Sequence, residues 1–78
     1  MNKQATAFQM TRSEQETQNE ANRLTVQIET ALAAVVRRSP DDADSLESAA
    51  DRIERTARDL AAAIRGLAQE RKAAADQS

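Results

Sequence analysis

LESAADRIERTARDLAAAIRGL, residues 46–67, places Leu46, Ala50, Ile53, Ala57, Leu60, Ile64 and Leu67 at alternating four- and three-residue steps. An apolar repeat averaging about 3.5 residues gives a helix one narrow stripe to set against another helix, so this run predicts coiled-coil-like packing. No proline or aromatic residue interrupts it. Gly66 lies inside the run, where glycine costs about 1 kcal/mol relative to alanine, at a position pointing away from the stripe.

Composition agrees with a helical reading. Of 78 residues, 31% are charged and 1% aromatic, with a single Gly and a single Pro, which suits long helices rather than a sheet and leaves room for one small domain. The net charge of -2 disfavours non-specific binding to phosphate backbones, which needs concentrated positive charge. Cysteine and histidine are both absent. Disulfides and thiolate metal sites are thereby excluded, and the commonest acid–base side chain is missing. No apolar segment follows Met1-Asn2-Lys3, and no stretch approaches the ~18 apolar residues needed to span a bilayer. The expectation is a cytoplasmic protein with no membrane contact.

Working outward from the repeat, Ser39-Pro40-Asp41-Asp42 supplies a capping hydroxyl, a proline suited to the first helical position, and carboxylates for the positive helix end. This predicts a second helix over residues 40–75, with Asp44 or Ser45 as later competing caps. Upstream, Thr11 with Glu14 and Ser13 with Glu16 each match a capping box. From there Ala21, Leu24, Ile28, Ala31, Leu32 and Val35 form one face, extended by Val36. Arg37 and Arg38 follow at the end where the helix dipole favours cations. The first helix is therefore expected over residues 13–38. Residues 1–11 are expected as a flexible N-terminal tail and 76–78 as a frayed C-terminus.

So short a connection makes the helices turn back on each other, and the predicted fold is all-α: an antiparallel αα-hairpin. Layer by layer, Val35 is expected beside Leu46, Ala31 beside Ala50, Ile28 beside Ile53, Leu24 beside Ala57, and Ala21 beside Leu60. Beyond these, Ile64 would face Thr17 and Leu67 would face Glu14, leaving the far end of the second helix under-covered. Ala61, Ala63 and Ala68 widen the apolar stripe there. At the turn, Arg37 and Arg38 are expected near Asp41, Asp42 and Asp44, and intrahelical pairs are expected for Asp51 with Arg55 and Glu54 with Arg58. A two-helix hairpin cannot enclose its own stripe, so association into a homodimeric four-helix bundle, or docking onto a different protein, is expected.

The chain offers little for catalysis. A nucleophile would have to be Ser or Thr activated by a carboxylate, Lys3 or Lys72, and no spacing suggests such a pair. No enzyme activity, cofactor or small-molecule substrate is expected. Asp41, Asp42, Asp44 and Glu47 lack the glycine turn and ligand spacing of a calcium loop, and capping of the second helix accounts for them, so no metal is expected either.

Leu60, Ile64, Leu67 and Ala68 are the candidate protein-interface residues, with Phe8, the single aromatic residue, as a candidate anchor in the tail beside Met10. Arg58, Arg65 and Lys72 recur every seven residues along one outer line, a candidate basic track for an acidic partner or a phosphate backbone. Asp51 begins the same line and Asp59 flanks it. In outline the hairpin resembles Rop-like RNA-binding bundles, and also the small helical co-chaperones and needle subunits of type III secretion, on helical periodicity and a turn alone. No functional residue is carried over. The expected function is that of a small interaction module that binds and masks a partner protein, as an inhibitor, anti-activator or secretion-type chaperone does. The alternatives are an RNA- or DNA-binding helical dimer and a structural subunit of a larger assembly.

Overall fold

The computed structural model describes residues 9–77. Among them the chain forms two helices, α1 (Arg12–Arg37) and α2 (Ala43–Gln77), packed against each other with no strand. Residues 1–8, which include Phe8 and most of the expected tail, lie outside the described residues, as does Ser78.

Of the two capping boxes, the structure uses the first. The Glu14 N–H donates to Thr11 Oγ1 at 3.1 Å, and the Thr11 N–H donates to Glu14 Oε1 at 2.8 Å, so two otherwise orphaned donors at the head of α1 are satisfied. At its other end α1 is closed by Arg38, which adopts the left-handed conformation (φ 54°, ψ 46°) that glycine usually supplies.

Ser39-Pro40-Asp41-Asp42 forms a turn rather than the head of a helix. The Asp42 N–H reaches the Ser39 carbonyl at 3.3 Å, with Pro40 at the second turn position, where its fixed φ is equally at home. The Asp42 carbonyl then accepts the Leu46 N–H at 2.8 Å, and α2 starts at Ala43 rather than at Pro40.

The extra residues in the turn displace the register. At the open end of the hairpin, Ser13 donates to Glu70, and the Arg71 guanidinium donates to Glu14 Oε2 at 2.7 Å. Counting inward from these contacts sets Thr17 opposite Leu67, Leu24 opposite Leu60, and Ala31 opposite Ile53. The expected layers are thus offset by three to four residues, about one helical turn.

The stripe that faces inward also differs in phase. Toward the neighbouring helix α2 turns Leu46, Ala49, Ile53, Thr56, Leu60, Ala63 and Leu67, and α1 turns Thr17, Glu20, Leu24, Gln27, Ala31 and Ala34, all buried or half-buried. Three-four spacing is retained, but Ala49, Thr56 and Ala63 take the places expected of Ala50, Ala57 and Ile64. The buried residues are small: Ala34, Ala49 and Thr56. Small side chains let two helix backbones approach closely, and this favours the observed rotation over one that would wedge Ile28, Val35 and Ile64 between the helices. In heptad letters, with Leu24 and Leu60 at a, the leucines and Ile53 of the expected stripe stay at a in the seam except for Leu32, while Ile28, Val35 and Ile64 fall at e.

Candidate interaction surface

Two antiparallel helices that share an a/d seam bring their e positions together on one side of the pair and their g positions together on the other. The Glu14–Arg71 ion pair, an e residue on each helix, marks the first of these sides. Following it toward the turn, the same row sets Ala21 beside Ile64, Ile28 beside Ala57, and Val35 beside Ala50. Every layer after the ion pair is apolar, and Leu32, Ala61 and Ala68 at b positions broaden the row. The opposite side carries Glu16, Arg23, Thr30 and Arg37 from α1 and Arg52, Asp59 and Gly66 from α2, all exposed.

The apolar side is open to solvent. Ile28 is 41% exposed, Ile64 49%, Val35 54% and Leu32 59%. With extents of 58 × 31 × 13 Å, the molecule is a slab about one helix thick, and neither broad side can be covered by the chain's own helices. Near the open end the apolar row runs into a groove formed by Met10, Thr17, Gln18, Ala21 and Leu67 beside the Glu14–Arg71 pair. The groove is the continuation of the row rather than a separate pocket.

Glu14 joins the two helices electrostatically. Its carboxylate accepts the Thr11 backbone N–H through one oxygen and the Arg71 guanidinium through the other. These two interactions, the backbone hydrogen bond first, hold its pKa below the ordinary glutamate value of 4.5. The interior of the hairpin is less complete. Glu20 Oε1 and Gln27 Oε1 are buried among the d-position residues with no hydrogen-bond partner, opposite Ala63 and Thr56, and Glu20 Oε1 has only a 3.8 Å ion-pair contact with Arg23.

The sequence-predicted residues divide between these surroundings. Leu60 lies half-buried between the helices, Leu67 half-buried in the groove, and Ile64 and Ala68 on the open apolar side. Phe8 is outside the described residues. Arg58, Arg65 and Lys72 are exposed at f positions along the outer edge of α2, with Asp51 at the head of their line. Under-coverage is not confined to the far end of α2, as expected, because Leu32 and Val35 on α1 are more open than Ile64, and Ile28 is exposed as well. Their signal in the sequence was Leu32, four residues beyond Ile28 and outside a strict a/d spacing: a stripe wider than one neighbouring helix requires.

Among the described residues, the ion pairs within 4 Å are Arg23–Glu20 and Arg71–Glu14. The pairs expected at the turn and along α2 are not formed. Asp41, Asp42, Asp44 and Glu47 do not come together in a grouping that could hold a metal ion. No described helix is long and apolar enough to cross a membrane.

Comparison of the chain with protein-family models, curated proteins and solved structures returned no match.

Proposed function

We propose that this chain is a small non-enzymatic interaction module that docks through the apolar side of its hairpin onto helices of another chain, building a four-helix arrangement and masking the surface it covers. An inhibitor, an anti-activator and a secretion-type chaperone all work by such occlusion. The observation that carries the reading is the row of half-exposed aliphatics, Ile28, Leu32, Val35 and Ile64, aligned on one side of the hairpin. Scattered exposed aliphatics are ordinary on a protein surface, whereas a contiguous patch bordered by polar residues marks an interaction site. A helix in a four-helix bundle presents a, d and e positions to the core; here a and d are used within the hairpin, and e is left over. The basic line Arg58, Arg65, Lys72 supports a nucleic-acid reading less well, because acidic residues share its edge.

The test is association of the wild-type chain, with itself and with partners recovered from its native cell, against the double variant Ile28→Lys, Ile64→Lys. Both substitutions lie outside the a/d seam, so helicity by circular dichroism stays near the wild-type level while association falls at least a hundredfold. Undiminished binding by the helical variant would refute the reading. So would wild-type binding that is abolished by nuclease and falls steeply with salt, the signature of phosphate contacts.

A further inference from the structure

The apolar side is bordered along α2 by charge arranged with a direction. Taking the e, b and f positions, which face that side or its outer edge, the half of α2 nearer the turn carries Asp44, Glu47, Asp51 and Glu54. The half nearer the open end carries Arg58, Arg65, Arg71 and Lys72. Neither half holds a charge of the other sign at these positions. Of the residues that interrupt the pattern in sequence, Arg52, Arg55, Asp59 and Asp76 sit at g and c, on the other side of the helix, and Glu70 sits at d, where it accepts from Ser13 of α1. Apart from Arg71, which is held by Glu14, none of these edge residues has an ion-pair partner within the described hairpin.

An edge that is acidic over one half and basic over the other is complementary to itself turned end for end. We infer that the occupant of the apolar side is a second copy of this chain, docked antiparallel about a two-fold axis, so that each α2 lies across the other with the two turns at opposite ends. This rests on the reading of that side as a binding surface and names what fills it. A two-fold interface must be self-complementary, and the apolar layers satisfy this as well. The Val35/Ala50 layer of one copy lies over the Ala21/Ile64 layer of the other, large over small, and the Ile28/Ala57 layer lies on the axis. A parallel pair would also set large over small, since α1 would then cross α2. It would, however, leave the acidic half of α2 with no cation: the charged residues of α1 at e, b and f positions are Glu29, level with the middle of α2 where the two halves meet, and Glu14, already held by Arg71. Charge therefore selects the antiparallel arrangement, as opposed signs across an interface fix register and orientation.

The chain lacks cysteine, so single-cysteine variants can be spin-labelled cleanly. Ala62→Cys and Gln69→Cys occupy exposed c positions on the polar side, away from the proposed contact. In the antiparallel dimer, moving the label from 62 to 69 adds about 20 Å to the component of the label-to-label separation along the helices, twice seven residues at ~1.5 Å each, and the distance measured by pulsed electron paramagnetic resonance lengthens by more than about 10 Å once the transverse separation is included. In a parallel dimer the distance stays the same, and that result overturns the inference. A chain that remains monomeric at several hundred micromolar also overturns it, while leaving the proposed docking surface to be judged by partner binding and the Ile28→Lys, Ile64→Lys variant.

Charge reversal provides the second measurement. The triple variant Glu47→Lys, Asp51→Lys, Glu54→Lys weakens self-association at least tenfold at low salt, and mixing it with Arg58→Glu, Arg65→Glu, Lys72→Glu restores a dimer. Unchanged affinity in the first triple variant refutes the charge assignment.

Discussion

The two broad sides of this hairpin are built from the same helices and the same heptads, yet differ in what they present. One carries Ala21, Ile28, Val35, Ala50, Ala57 and Ile64 at e positions; the other carries Arg23, Thr30, Arg37, Arg52, Asp59 and Gly66 at g positions. Between them runs a seam of leucine, isoleucine, alanine and a few polar residues that is sufficient to set the helices together and too narrow to hide the e row. A hairpin meant to stand alone has no use for that asymmetry, because aliphatics left in water contribute nothing to its stability. The asymmetry has a use once a further layer of helix covers one side.

The largest expected effect comes from the seam that both sides share. Leu60 faces Leu24 between the helices, and Leu60→Asp would set a charge against that layer with no cation to pair it. A loss of about 3 kcal/mol or more is expected, enough to unfold a chain of this size, with helical circular dichroism lost at 25 °C. Retention of full helicity would mean that the a/d seam does not hold the hairpin, and the distinction between its sides would lose its basis.

Next is a matched pair of substitutions within one turn of α2. Ala50 at e and Ser48 at c are both exposed, and arginine at either is compatible with the helix. Ala50→Arg is expected to weaken association by about 1.4 kcal/mol or more, a factor of ten, because the side chain must be desolvated or displaced at the covered surface. Ser48→Arg is expected to leave association unchanged. Sedimentation equilibrium on both variants decides it, and equal effects would remove the functional difference between the two sides.

How much of this was readable in advance follows from particular residues. The all-helical hairpin was legible because one proline-centred turn separates two long runs with helical periodicity. The phase of the inward stripe was not. Ala49-Ala50, Thr56-Ala57 and Ala63-Ile64 each offer two adjacent residues for one heptad position; hydropathy favours the second of each of the latter two pairs and does not distinguish the two alanines. Close approach of the backbones favours Ala63 over Ile64, the rotation that follows carries Ala49 and Thr56 inward with it, and that preference depends on the other helix. The register was hidden for a related reason: Pro40 suits both the first position of a helix and the second position of a turn, and the choice moves every layer by about one helical turn. Of the side proposed as a docking surface, the periodicity pointed to Ile64 and Ala68, while Ile28, Leu32 and Val35 on α1 were expected within the hairpin's own core and are exposed instead.

A smaller effect tests the polar side. A β-carbon built at Gly66 meets nothing within 4 Å, and its g position is on the side proposed to stay in water. Gly66→Ala is therefore expected to raise stability by about 1 kcal/mol, the difference in helix propensity, seen as a higher urea midpoint with association unaffected. If instead the substitution disrupts association, a neighbour approaches the backbone at Gly66, and the polar side is an interface too.

The smallest expected effect concerns acid. Glu14 closes the apolar row at its open end, capping α1 and holding Arg71, and both interactions favour its charged form, so its pKa in the folded chain lies below the ordinary value of 4.5. Unfolding releases the carboxylate to that ordinary value, so between the two pKa values the unfolded state binds more protons and stability rises with pH. The contribution of Glu14 is thus fully present above pH 4.5 and is lost as pH falls through its lower folded value. Because the pair is exposed, the effect is modest and screened by salt. The expected observation is an increase in amide hydrogen exchange below that range, confined to the first turn of α1 and to the stretch of α2 around Arg71. Glu14→Gln, whose side chain keeps its acceptor oxygen but does not titrate, abolishes the pH dependence at these sites and not elsewhere. If exchange around Ile28 and Val35 responds to acid as strongly as the open end does, the Glu14–Arg71 pair is coupled to the whole apolar row rather than serving as its border.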